Sequence, residues 1–119
     1  MSQNKKVAII GIGATEFSKN SGRSEMQLAC EAALAAVKDA GINGADVDGM
    51  ATFSMDNNWE TEVHRQIGGK ELKFFSRTEY GGGPTIWPFA LAVCAIQSGP
   101  CETSLIYRGT KERSGWRFD

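Results

Sequence analysis

The chain has 119 residues, the length of one ordinary domain, and its 41% apolar and 23% charged residues are the composition of a soluble globular protein. A net charge of −1 removes any global electrostatic case for nucleic acid or an anionic membrane. The three cysteines, Cys30, Cys94 and Cys101, form no C-x-x-C pair, which argues against a zinc site or a disulfide framework. With no signal peptide or transmembrane span in view, the cytoplasm is the expected compartment.

The first element expected is a strand at Val7 to Gly13, a β-branched run without polar alternation and therefore buried on both faces, as in a parallel sheet. Thr15 to Arg23 carries no period and reads as a loop. Ser24 and Gln27 have the spacing of a capping box, and Met26, Cys30, Ala33, Val37 and Ala40 fall on one helical face. Gly41 stands where that helix should stop. Val47 to Ser54 is a weaker strand. Trp59 to Ile67 is a two-turn helix capped by Asn57 or Asn58 and stopped by Gly68 and Gly69. The aromatic run Leu72 to Tyr80 suits another strand.

Next come three glycines, Gly81, Gly82 and Gly83, at the mouth of a helix without a polar face between Thr85 and Gln97. A helix apolar all round is a buried helix, and Pro88 fits only in its first turn. Gly99 and Pro100 end it, Thr103 to Tyr107 is a last strand, and a charged tail runs from Arg108 to Asp119. The expected order is βαβαβαβ, an α/β fold with a largely parallel sheet.

Several motifs have a structural explanation that outweighs the chemical one. Gly11-Ile12-Gly13 suggests dinucleotide binding, but Glu16 stands at the third glycine position and a ten-residue loop precedes the helix. His64, with Glu60 nearby, reads as a surface or interface residue before a catalytic one. Cys30 and Cys94 sit mid-helix as small hydrophobes, whereas Cys101 lies in a loop and is the more accessible thiol. Lys111, Arg113 and Arg117, interleaved with Trp116 and Phe118, read as a solvated terminus before a phosphate contact. The glycine run is different. Free amides at a buried helix mouth make an anion or oxyanion cradle, and a loop without Cβ atoms lets a ligand carbonyl approach.

The ordered set "VAIIGIGATEFSK", "LACEAALAAVKDAGI", "VDGM" and "EYGGGP…ALAVCAIQSGPCETSLIYRG" resembles the N-terminal part of the thiolase superfamily, specifically its sterol-carrier/lipid-transfer branch of acetyl-CoA acetyltransferase-like proteins. The resemblance implies a dimeric thiolase fold acting on acyl-CoA thioesters, with coenzyme A entering as substrate rather than as a bound cofactor. It also implies a nucleophilic cysteine at the N-terminus of the buried helix. Counting back along that helix puts the position at Gly82, within one residue, so the cysteine is absent and no catalytic residue or metal ligand is assigned. Gly81, Gly82, Gly83 and Trp87 are the candidate substrate-binding residues.

Members of the branch that lack the cysteine resemble retro-aldolases acting on steroid side-chain CoA thioesters. They work with a small partner that has an OB fold and a zinc ribbon. The resemblance thus implies an N-terminal portion of such an enzyme, inactive by itself, with the uncovered central helix exposing an apolar patch. The alternative is a non-catalytic acyl-CoA-binding or dimer-assembly module whose dimer surface is Leu72 to Tyr80.

Overall fold

The computed structural model describes residues 5–79 and 85–113. Helix α1 spans Glu25–Ala40. The Ser24 hydroxyl accepts from the Gln27 amide at 3.1 Å, the Gln27 side chain accepts from the Ser24 amide at 3.1 Å, and Gly41 closes the helix at φ 71°. Strand β1 (Gly49–Phe53) follows a short 3-10 turn, then come α2 (Glu60–Gln66), β2 (Phe74–Thr78), α3 (Trp87–Ser98) and β3 (Ser104–Ile106). The three strands form one parallel sheet in the order β2-β1-β3, with Gly49 opposite both Phe74 and Ser104. Every residue of β1 is buried, because the central strand is covered on both sides and both faces.

One core joins α1, α2 and β1. Ala29, Ala33 and Val37 meet Val47, Met50, Val63 and Ile67, and Tyr107 closes the cluster. Small residues on α1 let the helix lie close against its neighbours. Helix α3 packs across all three strands and buries Pro88, Ala92 and Ala95. Pro88 lies in its first turn, and Gly99 ends it at φ 102°.

Three expectations need correction. Residues 7–13 join no ladder among the described residues, so the described order is α-β-α-β-α-β without a leading strand. The segment instead lies flat on α1, where a Cβ at Gly11 or Gly13 would strike the backbone of Ala36 or Ala32. The Ile12 amide donates to the Asp39 carboxylate at 2.9 Å. A cleft of about 470 Å³, lined by Ile10, Phe89, Val93 and Leu105 among others, separates this segment from β3 and α3, and Ile9 is 76% exposed. Second, α2 is capped by Trp59 without a side-chain bond, because Asn58 turns inward to another role. Third, α3 is not buried all round: Trp87, Phe89 and Val93 on it and Ile86 just before it are exposed, the apolar patch expected of an uncovered helix.

Candidate functional site

The carboxyl ends of β1, β2 and β3 converge on one edge of the sheet, the edge at which parallel α/β folds place their ligands. A buried polar network holds this edge together. Asp56, just past β1, accepts from the Asn58 amide at 2.7 Å and the Asn58 side chain at 2.9 Å, and its second oxygen accepts from the Gly109 amide. The Asn58 side chain also donates to the Gly109 carbonyl at 2.8 Å. Burial pushes the Asp56 carboxyl above its usual range, while these donors and Arg77 oppose that rise.

Arg77, on β2, spreads its guanidinium beneath the same loop. It donates to the carbonyls of Phe53 at 3.2 Å and Asn58 at 2.9 Å and to that of Asp56, and its Nε lies 3.3 Å from the buried Glu60 carboxylate. The Trp59 ring covers its outer face, 5.3 Å from the guanidinium carbon. The Tyr107 hydroxyl donates to the Asn58 carbonyl, and the Thr52 hydroxyl donates to the Tyr107 carbonyl at 2.8 Å. Burial first, then Glu60 and Asp56, raise the Tyr107 phenol well above its ordinary value. These bonds tie the loop after β1, the arginine of β2 and the segment after β3 together, so the network fixes backbone geometry at this edge.

Of the sequence-derived site residues, Gly81, Gly82 and Gly83 lie outside the described residues. The described chain on either side ends at the carboxyl end of β2 and resumes just before α3. Trp87, the first residue of α3, is 57% exposed. His64 is not a surface residue: it is buried, with Nε2 2.7 Å from the Val47 carbonyl, while Glu60 faces Arg77. Cys101 is also buried, contrary to its loop position, because the chain folds it against Gly49. Burial raises its thiol, with Asp48 adding to the rise, and burial alone raises Cys30. Cys94, expected to be buried, is the exposed thiol.

Reading along the sequence missed the Asp56–Asn58–Arg77–Tyr107–Gly109 network, whose members are brought together only by the sheet. Among the described residues, no group of three or more histidine, cysteine or acidic side chains could hold a metal ion. No described helix is long and apolar enough to cross a membrane.

No protein-family model matches the chain. Its α/β fold recurs within larger proteins. A priming β-ketosynthase from the R1128 polyketide pathway matches 73% of the chain at TM-score 0.62 and 16% identity, with 27% of that protein covered. A monomeric SCP2-thiolase-like protein type 1 from Mycobacterium smegmatis matches 82% at TM-score 0.64 and 28% identity, with 22% covered.

More specific likenesses follow. The chain is 56% identical over 111 residues to a steroid side-chain-cleaving aldolase of Thermomonospora curvata, spanning 93% of the chain and 28% of that protein. It is 51% identical over 113 residues to the 17-hydroxy-3-oxo-4-pregnene-20-carboxyl-CoA lyase of Mycobacterium tuberculosis, spanning 95% of the chain and 29% of that protein. The solved Ltp2-ChsH2(DUF35) aldolase superimposes on 91% of the chain at TM-score 0.88, with 56% identity and 28% of its own length covered. The chain thus spans less than a third of the length of these relatives.

Proposed function

We propose that the chain forms the N-terminal part of a thiolase-like carbon–carbon lyase that cleaves a β-hydroxyacyl-CoA thioester by a retro-aldol reaction. The observation that carries the reading is identity above one half, along nearly the whole chain, to two proteins named for aldol cleavage and lysis. Glycine at position 82, where the resemblance implies a thiolase nucleophile, agrees with it, because retro-aldol chemistry needs no acyl-enzyme.

In that reaction a base takes the β-hydroxyl proton and the oxygen electrons close a carbonyl. The pair from the broken carbon–carbon bond moves to the α-carbon, giving the thioester enolate, which is then protonated. Our reading gives the amides of Gly81, Gly82 and Gly83 the enolate oxygen and gives Trp87 the acyl group. It assigns the base to none of the described residues, since His64 and Tyr107 are engaged in the core. The chain alone therefore binds thioester without turnover. The full protein would be a homodimer working with a small OB-fold, zinc-ribbon partner; the two-component name of the solved aldolase supports a second component and no more.

A second reading, a non-catalytic acyl-CoA-binding or dimer-assembly module, draws on β2, which forms an edge of the described sheet and leaves Phe75 exposed. A graft separates the two. Replacing the matched segment of the Thermomonospora aldolase with this chain should preserve partner-dependent release of ketone and acyl-CoA, and Gly82→Val in the graft should abolish it. A folded, dimeric graft without cleavage would favour the module.

A further inference from the structure

A second cleft of about 460 Å³ opens beside the polar network, between residues 13–21, the N-terminal half of α1 and residues 108–113. Its floor is built by close approach. A Cβ at Gly13 would strike the Ala32 carbonyl, and one at Gly109 would lie 2.6 Å from the Ala29 Cβ, so both walls sit directly on α1. Leu28 and Ala32 show between them. One wall is pinned by Arg23, which pairs with Glu16 at 2.6 Å and Glu31 at 3.1 Å. The other is pinned by the Asp56 carboxylate on the Gly109 amide and by the Arg108–Glu112 pair at 3.0 Å.

The lining carries four cations, Lys19, Arg108, Lys111 and Arg113, against two carboxylates, on a chain whose net charge is −1. Both carboxylates, Glu16 and Glu112, already face arginines. Lys19, Lys111 and Arg113 have no ion-pair partner among the described residues. Phe17 stands fully exposed beside Lys19, at 100% relative exposure. A concave site of ligand size that combines cations, hydroxyls from Thr15 and Thr110, and an aromatic face has the chemistry of a nucleotide phosphate site.

We infer that this cleft binds the phosphorylated adenosine end of the CoA thioester, with Lys19, Lys111 and Arg113 on the phosphates and the adenine on Phe17. The inference rests on the function proposed above and adds a location to it. Residues 108–113 follow the carboxyl end of β3, and the described chain before the glycines ends just past the carboxyl end of β2, two strand spacings or about 10 Å away along one edge. A thioester seated at the glycines can therefore extend along that edge toward the cleft.

The test is calorimetric titration of the full chain with adenosine 3′,5′-bisphosphate, coenzyme A, pantetheine and inorganic phosphate. The bisphosphate and coenzyme A should compete for one site, with pantetheine leaving it open. Lys111→Glu and Arg113→Glu should each weaken both by about tenfold. Phe17→Ala should weaken the bisphosphate while leaving inorganic phosphate unchanged. Lys19→Glu, in an exposed loop, provides an independent charge reversal, and thermal melts confirm that each variant folds. Bisphosphate binding that ignores all three reversals overturns the inference, as does capture of an acidic protein segment in place of the nucleotide. In the grafted aldolase the same reversals should raise KM for the thioester and spare kcat. An active graft with unchanged KM sinks the cleft alone, whereas a dead graft that still binds bisphosphate sinks the lyase reading alone.

Discussion

The carboxylate of Asp56, just beyond the first strand, accepts the backbone amide of Gly109, just beyond the last, across a sequence separation of 53 residues. That one contact joins the two structural ideas of this fold: the buried network at the sheet edge and the basic cleft beside it. Asp56 meets only donors along this contact, from Asn58 and Gly109, so a carboxamide in its place would turn an N–H toward an N–H. Asp56→Asn should cost about 1–3 kcal/mol in urea denaturation.

The pH dependence of that loss has a definite sign. Burial holds the folded-state pKa of Asp56 above its unfolded value, so between the two values the folded protein binds more protons than the unfolded one. Stability from this group is greatest below the ordinary carboxylate pKa and falls as pH rises through the raised one. The wild-type advantage over Asp56→Asn should therefore shrink from acid toward neutral pH and then level. An advantage that grows with pH would contradict the assignment.

Arg77 is the second anchor, and its removal leaves Glu60 in the interior without its cation. Arg77→Ala should lose about 3–5 kcal/mol by chemical denaturation, because an uncompensated buried carboxylate is costly. Arg77→Lys keeps the charge but not the fork that reaches several carbonyls, so it should lose less. Trp59 emission should shift in both variants as the stacked guanidinium leaves or changes shape. Equal losses for the two would show that the fork, and not the retained charge, anchors the network.

Local signals accounted for the ends of α1 and α3, though not for the cap of α2. Ser24, Gln27, Gly41, Pro88 and Gly99 each act within one turn of their own position, and each stands where the spacing placed it. What failed was inference from polarity to burial. Val7 to Gly13 is apolar enough for a buried strand, yet it has no ladder partner among the described residues and rests on α1 through its glycines. His64 and Cys101 looked accessible from their neighbours in sequence, but their burial depends on Val47 and Gly49. The Asp56 network and the cleft between 13–21 and 108–113 are assembled by strand order alone, which no local pattern encodes.

The thiols offer a check on burial without any substitution. Cys94 lies on the exposed face of α3, whereas Cys101 is buried and Cys30 half-buried, with both pKa values raised by that burial. A thiol reagent near neutral pH should modify Cys94 first, Cys30 more slowly, and Cys101 only after denaturation. Peptide mapping of the labelled chain gives the order. Early labelling of Cys101 would refute the packing of residues 99–103 against β1.

Gly109 gives the most direct test of the cleft floor. Its carbonyl and amide are both held, by Asn58 and Asp56, so the backbone there has little freedom to retreat. A methyl group at this position would lie 2.6 Å from the Ala29 Cβ and 2.9 Å from the Glu25 carbonyl. Either α1 or the segment after β3 has to move, and overpacking of this kind costs about 1–3 kcal/mol. Gly109→Ala should therefore lower the urea midpoint and weaken bisphosphate binding together, because the displaced segment carries Lys111 and Arg113. Ala29→Gly in the same chain makes room for the added methyl and should recover part of both losses. Recovery of stability without recovery of binding would separate the floor from the phosphate contacts and place the ligand elsewhere.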